Sequence, residues 1–181
     1  MVKAVWNGVT IAESGDIEMV EGNAYFPMAA VKQGCLAEAV ETPPTYCHWK
    51  GIASYFNVVA GGETNLGAAW HYGEPYPQSA VIRGRVAFWN GIDVIGKPEG
   101  AGLVEGEPSL DGKTGWEALC WLVKFSEHQV ISAGEVETVT GITESDLAEA
   151  WQVYDVQRYA SHYKRRLAGG NGAPLRLEKT E

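Results

Sequence analysis

The chain gathers its most reactive side chains into one short phrase, Tyr46-Cys47-His48-Trp49-Lys50-Gly51. Cysteine reacts as its thiolate, and a neighbouring cation stabilises that form. Cys47 and Lys50 are therefore the candidate catalytic pair, a nucleophile and the charge that holds its product or ligand. Lys50 also offers a fixed positive charge to a ligand carboxylate or phosphate. If the phrase is extended, alternation puts Cys47 and Trp49 on one face, with His48 and Lys50 on the other. A Cys47–His48 dyad then requires a bend, which Pro43, Pro44 and Gly51 allow. His71 is the other imidazole within plausible reach, but strand parity sets it opposite Trp70 and Tyr72. Two plainer roles compete: an unpaired cysteine packs as a small hydrophobe, and a lysine at a strand end is a solvated charge. Cys35 and Cys120 are read as packing residues.

Around this phrase lie aromatics, most of which must be core. Alternation leaves some with a polar end directed at a cavity, where a Tyr hydroxyl orients a ligand. Tyr25, Tyr55, Trp70 and Tyr72, with His48, are the candidate ligand-binding residues. No metal site is expected: zinc takes close Cys or His pairs, and the sequence has no Cys-x-x-Cys and no His-x-x-x-His. Nor is a cofactor expected. Gly61-Gly62 and Gly169-Gly170 lack the spacing of a phosphate loop, and Glu18, Glu21, Glu63 and Glu74 form no pair suited to magnesium.

The elements that must position these residues divide near Ile95. Val5-Trp6 and Val9-Thr10-Ile11 flank Asn7-Gly8, and Phe88-Trp89 and Ile92-Asp93-Val94 flank Asn90-Gly91. Both dipeptides suit tight hairpin turns. Asp16–Val20, Ile52–Val59 and Asn65–Tyr72 also read as strands, with Ala60-Gly61-Gly62-Glu63 as a turn. Phe26–Lys32 has a proline, Pro27, near its start and suits a short helical turn or helix. Residues 96–114 are too rich in glycine and proline for a regular element and read as an acidic linker.

Beyond it the pattern is helical. Thr114-x-x-Glu117 and Ser132-x-x-Glu135 are capping boxes. Trp116, Leu119, Cys120 and Val123 share one helical face, as do Val136 and Val139, and Gly141 ends the second helix. Thr143-x-x-Asp146 opens a long third helix with Leu147, Trp151, Tyr154 and Leu167 inward. Lys164, Arg165 and Arg166 suit its C-terminal dipole, and Gly169-Gly170 stops it. The tail, 169–181, reads as frayed.

The chain has 181 residues, and its net charge of −9 argues against a general nucleic-acid binder. A helix-turn-helix reading of the second half fails for the same reason. Its recognition helix would offer Glu144, Asp146 and Glu149 to phosphates. No apolar run approaches a membrane span. Three cysteines without paired spacing fit a reducing cytoplasm.

Five phrases carry a resemblance: Val5-Trp6-Asn7-Gly8, Glu21-Gly22-Asn23-x-Tyr25-Phe26-Pro27, Tyr46-Cys47-His48-Trp49-Lys50-Gly51-x-Ala53-x-Tyr55, Ala69-Trp70-x-Tyr72-x-x-Pro75 and Val86-Ala87-Phe88-Trp89. In this order they resemble the bacterial domain-of-unknown-function family 427, which also bears a nucleotidyltransferase label. The likeness covers about residues 2–94, with His48 standing where the family usually has proline. It implies a mostly antiparallel β domain whose two sheets lean together, tent- or barrel-like, with aromatics lining a cleft.

The expected fold is thus α+β. A β domain spans 1–95, a linker 96–114, a helical extension of about three helices 115–168, and a flexible tail 169–181. The expected function is binding of a small polar or anionic metabolite around Cys47 and Lys50, with cysteine-based chemistry as its catalytic form. One alternative is a protein-interaction module, dimeric or with a partner protein, that uses the acidic helical half. A second is a nucleotide-handling transferase.

Overall fold

Residues that tolerate positive φ reverse the chain where two short apolar runs meet. The computed structural model describes residues 1–153 and 156–181. They form two units, Met1–Glu107 and Pro108–Glu181.

In the first unit, Asn7-Gly8 joins β1 (Val2–Trp6) to β2 (Val9–Ser14) in an antiparallel hairpin. Glu21-Gly22 joins β3 (Glu18–Val20) to β4 (Asn23–Pro27), which runs into a single helical turn at residues 28–30. β5 (Leu36–Glu38) and β6 (Thr45–Cys47) both pair with β7 (Gly51–Ala60), which turns at Gly61-Gly62 into β8 (Glu63–Tyr72). β9 (Arg85–Phe88) and β10 (Asp93–Ile95) follow. The expected hairpin at Asn90-Gly91 is corrected. The turn is present, with the Ile92 amide donating to the Trp89 carbonyl at 3.1 Å, but β9 and β10 do not pair. β9 lies between β4 and β8, and β10 crosses to cover the free edge of β1.

The result is two antiparallel sheets, β10-β1-β2 and β3-β4-β9-β8-β7-β5, with β6 also on β7. They do not close into a barrel. Period-two alternation sorts the larger sheet's side chains. One face sends Phe26, Val58, Val86 and Phe88 against Val2, Ala4 and Ile11 of the smaller sheet. Each such Phe, Ile or Val contributes about 2 kcal/mol on burial, so this face holds the unit together. The opposite face carries Tyr25, Ala53, Tyr72 and Ala87, with Tyr55 and Trp70 half-buried.

Residues 96–107 are not a free linker. The Leu103 amide donates to the Met19 carbonyl (2.8 Å), the Glu21 amide to Leu103 (2.9 Å) and the Gly22 amide to Ala101 (2.8 Å). Composition hid this strap because the bonds that pair it with β3 and the β3–β4 turn run between backbone groups. Gly102 (φ 68°) lies so close to the Met19 carbonyl that a Cβ would collide with it.

The second unit contains α1 (Gly115–Phe125), β11 (Val130–Ser132), α2 (Ala133–Thr140), α3 (Glu144–Val153), α4 (Val156–His162), β12 (Arg165–Gly170) and β13 (Ala173–Lys179). Its strands form an antiparallel sheet, β11-β13-β12. Two expectations are corrected here. Residues 165–168 are strand rather than helix end, and 169–181 is a hairpin arm rather than a loose tail. The cause is a third Asn-Gly turn, Asn171-Gly172, between β12 and β13, with Leu177 fully buried. Arg165 is buried and donates to the carbonyls of Val123 (3.0 Å), Ser126 (2.5 Å) and His128 (2.9 Å), capping the end of α1 rather than of its own helix. Leu147 and Trp151 are buried as expected, and Tyr154 lies outside the described residues. Val139, expected inward beside Val136, is 39% exposed. Among the described residues, no helix is long and apolar enough to cross a membrane.

Candidate functional site

The reactive phrase is not extended. β6 ends at Cys47, which pairs with Gly51 at the start of β7, and His48, Trp49 and Lys50 form the turn between them. Gly51 closes the turn at φ 105°, and a Cβ there would press on the Glu74 carbonyl at 3.2 Å. A three-residue loop ending on such a residue is a common hairpin connection. The bend removes the alternation expected of a strand and leaves Trp49 and Lys50 both buried.

A buried lysine needs a counter-charge. Glu21 supplies it from the β3–β4 turn, accepting from the Lys50 ammonium at one carboxylate oxygen and from the Trp49 indole N–H at the other, 3.1 Å away. The ammonium also lies over the rings of Trp49 (5.2 Å) and Tyr72 (5.6 Å), an attraction worth about 1–2 kcal/mol when desolvated. The Lys50 side chain is 8% exposed and that of Glu21 37%, so the carboxylate is the member of the pair that faces solvent.

Glu21 occupies an unusual conformation for its type. The turns at Asn7-Gly8, Asn90-Gly91 and Asn171-Gly172 put asparagine at φ 49–53°, as does this one for glutamate at 51°. Asparagine adopts that region readily and glutamate does not. In the sequence Glu21 stands as one acid among Glu18, Glu63 and Glu74, with no pairing to mark it. The signal for it was glutamate standing where a tight turn ordinarily takes asparagine.

Five of the expected residues meet on the open face of the larger sheet. Cys47 is half-buried and packs, with Tyr55 and Trp70, against a cluster that includes Tyr25, Trp49 and Tyr72. The Trp70 indole N–H donates to the Tyr25 hydroxyl (3.1 Å), and the two rings meet edge-on at 6.0 Å. Tyr25 and Tyr72 are themselves sealed, at 0% and 5% exposure. Burial pushes both phenols well above the ordinary tyrosine range, and the charge of Glu21 adds to the effect, so both stay protonated. They form the floor of the face. Tyr55, whose hydroxyl meets that of Thr45 at 2.7 Å, and Trp70 form its surface.

His48 lies in the same turn as Lys50, beside Trp49. Its Nε2 pairs with Glu105 of the strap. His71 stacks on Phe56 at 4.8 Å, on the other side of the sheet, in keeping with strand parity. Trp89 was not among the expected residues. It is 52% exposed, stacks on Tyr55 at 6.2 Å and is oriented by donating its indole N–H to the Gly67 carbonyl (2.6 Å). Among the described residues, no three His, Cys, Asp or Glu side chains converge as a metal-holding group.

The family model labelled NTP_transf_9 and described as "Domain of unknown function (DUF427)" matches residues 1–97. The chain belongs to this family. Its matched region contains both turns that build the Lys50–Glu21 pair. The strap at 101–105 and the whole second unit lie outside what DUF427 covers. No curated protein matches the chain.

Proposed function

We propose that the chain binds a small polar or anionic metabolite on the aromatic face around Cys47 and Lys50. The observation that carries this reading is the Lys50–Glu21 pair. Burying an ammonium is costly, and holding a glutamate at positive φ costs a further 1 kcal/mol or so. Neither is needed to join two hairpins. Such expense at one place, beside a half-buried thiol, is more common at functional sites than elsewhere. An ammonium has three N–H donors, and Glu21 engages one of them. An acceptor oxygen on the ligand has the others to use, while Glu21, exposed beside it, receives a donor. A ligand bearing both kinds of group, such as a hydroxy acid or amide, fits the pair better than a bare anion. Covalent chemistry, where it follows binding, falls to Cys47.

A thermal-shift panel of hydroxy acids, amides, sugar phosphates and magnesium nucleotides tests this on the whole protein. Stabilisation of the wild type by a panel member, lost in Lys50→Met and reduced in Tyr55→Ala, is the expected result. Stabilisation that survives Lys50→Met moves the site elsewhere. A magnesium nucleotide acting without Lys50 favours the transfer chemistry in the family label. Iodoacetamide labelling reports separately on the thiol: Cys47 should react faster than free cysteine if it serves catalysis, and an inert Cys47 reduces the site to binding.

A further inference from the structure

The second unit has an open cavity of about 480 Å³ that plays no part in the reading above. Its walls come from the last turn of α1 (Trp121, Leu122), from β11 (Ile131) and from α2 (Thr138, Val139), and its mouth from Ser126, Glu127, His128 and Glu135. That size, with apolar walls and a few polar groups at one end, suits a small molecule. One feature distinguishes it from a packing defect: Val139 continues the apolar pattern of α2, yet it is left 39% exposed at the cavity.

The mouth is acidic. Glu135 spends one oxygen on the cap of α2, accepting from the Ser132 amide (2.8 Å) and hydroxyl (2.7 Å). Those bonds hold its carboxyl below the usual range, so it stays charged into mild acid. Its other oxygen lies 3.8 Å from His128 Nδ1. Glu127 turns only its backbone carbonyl to the Lys179 ammonium (3.3 Å), and its own residue is exposed. A chain with a net charge of −9 concentrates cations around such a mouth.

We propose that this cavity binds a small amphipathic amine, with its hydrocarbon body against Trp121, Leu122, Ile131 and Val139 and its ammonium between Glu127 and Glu135. Phenethylamine is the probe, and 3-phenylpropionate is its control of like size and opposite charge. The titration is followed by the NMR signals of the Trp121 indole and the Thr138 and Val139 amides, at low salt and about pH 8, where histidine is ordinarily neutral. Phenethylamine should move these signals saturably, with 3-phenylpropionate at least about tenfold weaker. Glu127→Gln and Glu135→Gln should each weaken phenethylamine by about three- to tenfold. Glutamine at 135 can still complete a capping box, so the helix survives the test. Equal binding of the acid and the amine overturns the proposal. So does an affinity untouched by both substitutions, or a Trp121 signal that stays fixed up to about 10 mM amine.

Discussion

Lys50 and Glu21 set two demands against each other. Removing the carboxylate opposite a buried ammonium leaves that charge unpaired, so Glu21→Gln should lower stability by about 2 kcal/mol. Glu21→Asn loses the same charge but relieves the positive φ. On a Lys50→Met background, where no ammonium remains, it should raise stability by about 1 kcal/mol. Urea melts of the wild type, the three single variants and the Lys50→Met/Glu21→Asn double variant decide this, and a gain from Glu21→Asn in the wild type would show that the pair contributes nothing. His71 makes a different residue-scale prediction. Burial holds its imidazole below the ordinary range, so as pH falls the unfolded chain takes up the proton first. Stability from this group is complete above about pH 6.5 and declines as pH drops toward the lowered folded value. The urea midpoint of the wild type should therefore fall more between neutral and mildly acid buffer than that of His71→Gln. Of these residues, Cys47 and Lys50 were legible as types in a phrase. Glu21 was not, because its partner lies 29 positions away and only the fold brings the two turns together.

The element that most affects the site is the strap. It pairs with β3 through backbone groups and ends at Glu105, against His48. Gly102→Ala puts a methyl into the Met19 carbonyl, and the strap must lift to accommodate it. Limited proteolysis should then cut between residues 97 and 107 at least about tenfold faster than in the wild type. Unchanged cutting would mean that the strap is held elsewhere. Local signals read well wherever the chemistry is local. The Ser132–Glu135 box forms with both bonds present, and Gly141 ends α2 at φ 74°. Thr114 stands at the N-cap of α1 without a side-chain cap bond. The long helix expected from Thr143 onward does not reach Leu167: the described residues are helical over Glu144–Val153 and Val156–His162, and Arg165 begins β12. Its late basic residues resembled a helix end because Arg165 does neutralise one, that of α1.

For the whole molecule, the two units carry separate tests. A fragment of residues 1–107 keeps the strap and should melt cooperatively, at a higher temperature than one of residues 1–95. Equal melting temperatures would deny the strap any share in stability. In the second unit β13 pairs with both β11 and β12. A chain ending at residue 168 should therefore lose the helical circular dichroism of residues 115–162 while the first unit stays folded. Retention of that signal would make the helices self-sufficient.

The amino-acid order alone determined the strands β1, β2, β7 and β8, the turns at Asn7-Gly8 and Gly61-Gly62, the Ser132 cap of α2 and the family, since each depends on residues a few positions apart. It also determined which face of β7 and β8 carries Tyr55, Trp70 and Tyr72, because alternation follows from backbone geometry. Tertiary structure decided what distant segments do when they meet: that β10 leaves β9 for β1, that a glycine-rich stretch straps β3, that the tail is a strand, and that Lys50 is buried against a carboxylate. Such pairings follow from backbone edges left open and charges left uncompensated, and these exist only once the sheets have formed.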